Sequence, residues 1–454
     1  MKHDSMLSLA YAVLLMSVPG LSGVGAQQAT GSGEAGQAQI TLDAVLAAAS
    51  AEHPLVAAAR ARVDAAIGSR RTAGAVPNPV ATYQVENVGF PGSRAPAGID
   101  RETASFLTIP LEPIYQRGPR VRQADEEVKA SRAVEVGVQR QVSLDAARAF
   151  FRLALAQVSV ETAMEALAGL DRLTSYNRAR VTEGVSAEGD LVRVQLERDR
   201  AAAEVVMEQA ELARARAQLQ PYLRSDRATR ADSLRVSLAG LRSTFVLPTL
   251  PELLQQASRT RPELLIARAR VAAAGAETGV QQTLTVRQVG ATFGSKRVSG
   301  ENSMIAGVSV PLPIFDRNRG EVQRARSSKT AAELELAWSQ RTVSSEVEGA
   351  LEAARLLSAE VARLDSSFLE KADESRRIAL AAYEGGIATL LQVLDASRAR
   401  SESRLTYFRT LFAQRQSLLE LLVASGSDPV FEPGRIKISD VTAPTTARKT
   451  GEIQ

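Results

Sequence analysis

The chain has 454 residues, a formal net charge of +4, 4% aromatic residues and no cysteine. Without cysteine it has no disulfide framework, no thiolate metal site and no lipoprotein anchor, because that anchor is attached to a cysteine. Arginine is interleaved with glutamate and alanine rather than gathered in blocks, a pattern that favours solvated helix faces over nucleic-acid binding.

The N-terminus has the pattern of a secretory signal. A basic start precedes a short apolar run from Met6 to Val18, and small residues ending at Ala26 predict cleavage there. The run is shorter than the roughly 20 residues that a helix needs to cross a bilayer. We therefore expect residues 1–26 to be a cleaved signal peptide and residues 27–39 a linker. The mature protein is then exported, without lipidation and without a membrane helix.

The remaining chain contains an internal repeat. TLDAVLAAASAEHPLVAAARARVDAA from Thr41 matches TLPELLQQASRTRPELLIARARVAAA from Thr249. Further on, IPLEPIYQRG from Ile109 matches VPLPIFDRNRG from Val310, and two glycine-containing turns also match. Three matches in the same order are not expected from chance similarity among alanine-rich helices. They predict a duplicated unit at about 40–247 and 249–426, followed by a polar tail at 427–454.

Each unit contains two segments with the composition of strands around a glycine-rich turn. They lie at about 80–88 and 102–110 in the first unit and at about 284–293 and 303–311 in the second. Their length is close to that of a tilted transmembrane strand, although their alternation is imperfect, so a hairpin outside the membrane remains the alternative. Four strands cannot close a barrel, and insertion into a membrane would therefore require several chains.

Long helices follow the strands in both units. Apolar residues recur at alternating spacings of four and three from Val142 to Leu170 and from Val343 to Phe368. A helix from about Tyr115 to the first glycine turn would be roughly 100 Å long, which is more than a globular domain needs. The turns near 184 and 386 are therefore predicted to be the tips of two long helical hairpins.

The sequence does not have the motifs of an enzyme. It contains no glycine-rich phosphate loop, no HExxH and no nucleophile motif. Of its two histidines, His53 has no second histidine and no carboxylate cluster beside it, which indicates a surface residue instead of a metal ligand. We predict no catalytic site, no cofactor and no resident metal.

Two repeats of helix, strand pair, long helix, glycine tip and long helix, with PLPIFDRNRG from Pro311 and YEGGIATLLQVLDA from Tyr383, resemble the TolC-like outer-membrane efflux channels. The resemblance implies a mainly α fold with a small β part. It also implies a homotrimer in which a twelve-stranded barrel in outer-membrane lipid continues into a periplasmic α-helical barrel. The implied partners are a periplasmic adaptor (membrane fusion) protein and an inner-membrane pump.

PLPIFDRNRG is most similar to the branch that exports heavy-metal cations. Drug efflux and type I secretion remain alternatives within the family. A periplasmic coiled-coil scaffold or adaptor without a pore is the alternative from a different class, although it would not need two strand pairs.

The resemblance also implies a periplasmic gate. Asp190 and Tyr383 match positions whose side chains link neighbouring hairpins in the closed state, and Asp395 matches a position whose carboxylates ring the lumen. Gln392 stands where some members have a second ring carboxylate, and Ala388 where some have an arginine. The alternative for Tyr383 is packing against the next helix, and for Asp190 it is capping of a helix.

The tips are the implied docking surface for the adaptor. Glu183, Gly184, Glu384, Gly385 and Gly386 lie at the two reversals. We expect the three glycines to supply the positive φ angles that the reversals need.

Overall fold

The computed structural model describes residues 39–89, 92, 98, 100–223, 234–238, 246–364 and 366–428. The predicted signal peptide at 1–26 lies outside these described residues, as do all but the last residue of the predicted linker and the tail beyond residue 428. Most of the turn between the first two strands lies outside them as well.

The order of elements in the first repeat recurs in the second, where two helices stand in place of one long helix. The first repeat contains β1 (Gln39–Ile40), α1 (Leu42–Glu52), α2 (Pro54–Gly74), β2 (Val80–Glu86), β3 (Glu102–Pro110), α3 (Pro113–Thr182) and α4 (Glu188–Leu219). The second contains β4 (Arg235–Val236), α5 (Leu250–Thr260), α6 (Pro262–Thr283), β5 (Gly290–Val298), β6 (Glu301–Ser309), α7 (Arg319–Arg363), α8 (Ser366–Glu384) and α9 (Leu390–Ala424). The predicted fold class, mainly α with a small β part and a duplicated unit, is confirmed.

In each repeat the first strand is followed by two helices that are separated by one residue. Thr41 caps α1 by accepting a hydrogen bond from the backbone three residues on, at 3.3 Å. Thr249 caps α5 in a capping box, where its backbone N–H donates to Glu252 at 2.9 Å. Pro54 and Pro262 then begin the second helices, because proline cannot continue a preceding helix but fits the first turn of the next.

The four longer strands form one antiparallel sheet in the order β2-β3-β5-β6. The repeats meet at its centre, where Phe106 of β3 lies opposite Gly294 of β5. A Cβ atom on Gly294 would lie 2.2 Å from the carbonyl oxygen of Ser105, so the close backbone approach requires glycine. Within one chain, β2 and β6 are the outer strands, and each pairs along one edge only.

The strand predicted at 284–293 is placed incorrectly, because β5 begins at Gly290 and continues to Val298. The preceding residues leave the end of α6, and Gln288 has a φ of 58°, which is incompatible with a strand. The strand predicted at 303–311 is displaced by two residues from β6. The strand predicted at 80–88 ends two residues early, before Asn87 at a φ of 59°, and that at 102–110 coincides with β3.

The long helices of the two repeats differ. The first is α3, which is continuous over 70 residues and therefore roughly 100 Å long. In the second repeat α7 ends at Arg363, and Leu364 leaves helical geometry with φ −83° and ψ 60° before α8 begins. The prediction of one unbroken heptad helix through Phe368 is therefore wrong. We call α3 with α4 the first hairpin, and α8 with α9 the second hairpin.

The main core lies where α1, α3, α5, α7 and α9 come together. It contains large side chains that are almost completely buried, among them Phe150, Leu153, Leu253, Leu351 and Leu418. A short parallel pair of β1 with β4 adjoins it. The sequence reading missed this pair, because two-residue strands carry no periodicity.

By length and composition alone, Leu42–Gly74 and Pro113–Thr182 each contain a stretch apolar enough for a helix that crosses a membrane. Core helices outside membranes meet the same criterion. Val45, Val56 and Phe150 from these stretches belong to the buried core.

Candidate functional site: the tips of the two hairpins

The two hairpin tips close with the same backbone geometry. Gly184 and Gly386 have φ angles of 72° and 74°. In each tip the residue after the glycine donates its N–H to the carbonyl five residues back, Val185 to Arg180 at 2.9 Å in the first and Ile387 to Ala382 at 2.8 Å in the second. This is the Schellman arrangement, which ends a helix and satisfies its last carbonyls.

Gly385 does not have the expected positive φ. It occupies the position that Glu183 holds in the first tip, where the helix ends with φ −82° and ψ −1°. The expectation that all three glycines supply positive φ angles is therefore wrong for Gly385, since any residue adopts the conformation it needs.

The returning helices begin differently in the two tips. In the second, Thr389 and Gln392 form a capping box, and the Gln392 side-chain oxygen accepts from the Thr389 N–H at 2.7 Å. In the first, Ala187 offers no side-chain cap, and Glu188 and Asp190 lie in the first turn of α4, where negative charge complements the helix dipole. Gln392 thus has a structural task besides its predicted place in the gate.

Tyr383 joins the two hairpins of one chain. Its side chain is 5% exposed, and its hydroxyl donates to Oδ1 of Asn177 on α3 at 2.5 Å. Asn177 is 0% exposed, and its Nδ2 donates to the Leu173 carbonyl at 2.9 Å, which fixes the orientation of the amide. Burial raises the pKa of Tyr383, so the hydroxyl keeps the proton that it donates.

A second aromatic residue and a cation surround this hydrogen bond. Tyr176 packs edge-on against Tyr383, with ring centroids 5.9 Å apart, and donates its hydroxyl to the Glu384 carbonyl at 3.4 Å. The Arg180 guanidinium lies 5.6 Å from both ring centroids, within the range of cation–π attraction. Both hairpins therefore contribute to one packed cluster at the tips.

The two predicted gate carboxylates are not part of this cluster. Asp190 is half-buried in the first turn of α4, and Asp395 is exposed along a groove between α8 and α9 that Gln392 also lines. Within the described part of the chain, neither carboxylate has a hydrogen bond or an ion pair. Glu183 and Glu384 are exposed, and their side chains have no such partner among the described residues either.

Sequence reasoning missed Asn177, Arg180 and Tyr176. One pattern does indicate Asn177, because the spacing of four and three that ends at Leu170 continues through Thr174 to Asn177. A buried asparagine on such a seam commonly specifies pairing.

Further from the tips, the hairpins line a cavity of about 470 Å³ with ion pairs at its edge. Glu165 of α3 pairs with Arg400 at 3.0 Å and Arg404 at 2.7 Å, both from α9. Glu197 of α4 pairs with Arg398 at 2.6 Å. Burial would raise the pKa of Glu165, but the hydrogen bonds from both arginines outweigh it, so this pKa lies below its ordinary value.

No group of three or more histidine, cysteine, aspartate or glutamate residues that could hold a metal ion occurs in the described part of the chain. What the site offers is a pair of reversals, an apolar and aromatic contact between hairpins, and exposed carboxylates.

Comparisons with known proteins agree with this architecture. Residues 253–427 match the model of the outer membrane efflux protein family. The cobalt-zinc-cadmium resistance protein CzcC of Cupriavidus metallidurans is 25% identical over 376 residues, covering 82% of this chain and 86% of that protein. The nickel-cobalt-cadmium resistance protein NccC of Alcaligenes xylosoxydans xylosoxydans is 27% identical over 318 residues and covers 68% of each chain.

A solved structure shows the same fold. The outer membrane protein VceC from Vibrio cholerae superposes with a TM-score of 0.69 at 21% identity, covering 86% of this chain and 97% of that one. The duplicated unit, the open-edged sheet, the two glycine tips and these matches lead to one conclusion: the chain is an outer-membrane efflux channel, not an enzyme, and its residues 253–427 have the sequence pattern of the outer membrane efflux protein family.

Proposed function

We propose that three copies of this chain form the outer-membrane channel of a tripartite system that exports heavy-metal cations. The observation that carries the metal assignment is the similarity to CzcC and NccC over most of the chain, since both are named as metal resistance proteins. An inner-membrane pump and a periplasmic adaptor complete the system. The predicted cleaved signal peptide delivers the channel to the outer membrane, and the long helices extend into the periplasm.

The single-chain sheet supports a trimer. Both β2 and β6 have an unpaired edge within the chain, and unpaired backbone groups cannot face lipid. Three four-stranded sheets joined edge to edge close a twelve-stranded barrel without a free edge.

Deleting the gene is expected to make its host more sensitive to cobalt, zinc or cadmium ions, and re-expression of the chain should restore tolerance. Growth on graded metal concentrations measures the effect, with a lipophilic drug as the comparison. Unchanged metal tolerance together with raised drug sensitivity would assign the channel to drug export instead.

Asp395 is proposed to form the lumen constriction. Three exposed carboxylates around one axis repel each other and attract cations, so the pore should prefer cations and be blocked by multivalent ones from the periplasmic side. Asp395→Ala should relieve this block and leave the trimer intact, because the side chain is exposed and pairs with no described residue. Recordings in planar bilayers measure both properties, and unaltered block and selectivity in the variant would contradict the assignment.

The tips are proposed to dock the adaptor. Val185 and Ile387 are exposed beside Glu183 and Glu384, so each tip presents one apolar side chain next to a carboxylate. A variant with Glu183 and Glu384 changed to lysine, and Val185 and Ile387 changed to aspartate, should no longer pull down the adaptor. Its mass should still be that of a trimer. Glu352→Lys, an exposed change on α7, is the matched control. Undiminished pull-down by the tip variant would place the docking surface elsewhere.

A further inference from the structure

The junction between the two repeats continues beyond the sheet. Where β3 passes into α3, the Leu111 N–H donates to the Val289 carbonyl at 2.8 Å. The Tyr115 hydroxyl donates to the Val286 carbonyl at 2.9 Å. The segment after β3 therefore covers the segment before β5, and Val286 and Val289 are half-buried as a result.

The equivalent segments on the two outer sides of the chain are uncovered. In the internal repeat, Phe315 matches Tyr115, and it is 99% exposed. Val76 stands four residues before β2, as Val286 stands four residues before β5, and it is 62% exposed. Each chain thus has one complete junction in its centre and half of the same junction on either side.

We propose that the Leu312–Phe315 segment of one copy packs on the Val76–Pro79 segment of the next copy, continuing a β6–β2 strand pair in which Ser309 lies opposite Thr82. The inference rests on the proposed trimer and specifies how its copies meet. The two half-junctions differ from each other, so each copy binds the next head to tail, and a closed ring leaves neither uncovered.

The register follows from the central junction. Thr108 lies opposite the first residue of β2, and Ser309 lies opposite the first residue of β5, so the two are equivalent. Thr292 is the third residue of β5, as Thr82 is the third of β2. Since Thr108 lies opposite Thr292, Ser309 should lie opposite Thr82 of the next copy.

The side chains agree with this register. The hydroxyls of Thr108 and Thr292 are hydrogen-bonded at 3.2 Å in the central junction. The proposed pair between copies also brings two hydroxyls together, from Ser309 and Thr82. A shift by one residue would place these hydroxyls on opposite faces of the sheet.

One neighbour provides an internal control. Ile114 remains exposed beside the completed central junction, so its position is not part of the contact. Its counterpart Ile314 is exposed as well and should stay outside the contact between copies. Phe315 is therefore expected to be buried between copies, whereas the adjacent Ile314 is expected to stay exposed.

Cysteine cross-linking of the full-length protein in detergent tests the proposal, because no native cysteine interferes. Thr82→Cys with Ser309→Cys should form disulfides between copies and give a covalent trimer on a non-reducing gel, since opposed strand residues lie within disulfide range. Phe315→Cys with Val76→Cys should give the same trimer with a short bismaleimide. The controls, Ala81→Cys with Ser309→Cys and Ile314→Cys with Val76→Cys, should cross-link several-fold less.

Native mass measurement and a photoreactive lipid separate the possible failures. A trimer in which Phe315 is labelled by the lipid and does not cross-link to Val76 overturns the inference and leaves the proposed channel intact. A trimer with equal yields from the matched and off-register pairs likewise overturns it. A monomer under the same conditions overturns both the inference and the proposed trimer.

Discussion

Replacing Asn177 with alanine is expected to raise the fraction of time that the channel is open. The exchange removes the acceptor of the Tyr383 hydroxyl, which is buried and bonded at 2.5 Å in the contact between the two hairpins. A buried hydroxyl left without a partner costs about 1–3 kcal/mol, and this cost falls on the arrangement in which the hairpins touch. Opening that separates the hairpins exposes the hydroxyl to water and avoids the cost.

Single-channel recordings in planar bilayers measure the open fraction. A shift of about 1.4 kcal/mol corresponds to a tenfold change in the open-to-closed ratio. Ser175→Ala on the same helix is the control, because that side chain is exposed and, among the described residues, donates only to a carbonyl of its own helix. An Asn177→Ala channel that opens as rarely as the control would show that the contact does not hold the gate.

The partner of Asn177 gives a further check. Tyr383→Phe should act in the same direction, and the double variant should add little to either single change, because both remove the same bond. Asp190→Ala should also raise the open fraction, but by less, since the Asp190 side chain has no hydrogen bond to a described residue.

Gly426→Ala, at the end of α9, is expected to cause a large loss of stability. Gly426 closes α9 with a φ of 79°, and an added Cβ would lie 2.5 Å from Oγ1 of Thr260 and 2.8 Å from the backbone nitrogen of Arg261. Left-handed geometry costs a non-glycine residue about 1–2 kcal/mol, and the overlap adds about 1–3 kcal/mol. Thermal unfolding of the variant in detergent measures the loss.

The surroundings of Gly426 leave little room for relaxation. Arg261 is nearly buried, donates to the Val423 carbonyl at 2.9 Å and pairs with Glu263 and Glu346. Gly385→Ala is the matched control, because a Cβ atom added there would lie no closer than 3.4 Å to another atom and the φ of Gly385 is not positive. Equal unfolding temperatures for the two variants would show that the structure around Gly426 accommodates the added Cβ atom at little cost in stability.

Much of the fold could be predicted because duplication supplies two readings of each element. A threonine caps both α1 and α5, and a proline is the first residue of both α2 and α6. Both glycine tips form the same Schellman closure. The start of β5 could not be predicted in this way. Its preceding segment is rich in apolar and β-branched residues, and only the positive φ of Gln288 separates it from the strand.

The candidate site was predictable only in part. Glycine at the tips follows from local geometry, which a short stretch of sequence determines. The bond between Tyr383 and Asn177 joins residues from different hairpins, so it depends on how the hairpins pack rather than on either sequence alone. The end of α7 at Leu364 also interrupts a regular apolar pattern that gives no warning of it.

Because of that interruption, α8 can change its angle to α7, and a small change of angle at Leu364 becomes a large displacement at the second tip. Its 19 residues span roughly 28 Å from the joint at Leu364 to the second tip, so a tilt of only about 10° would displace the tip by about 5 Å. Such a displacement exceeds the reach of the hydrogen bond between Tyr383 and Asn177. In the first hairpin α3 has no such interruption, so it would have to bend along its whole length. Because α9 returns from the same tip as one unbroken helix of 35 residues, a tilt of α8 at Leu364 separates the two hairpins only when α9 bends with it.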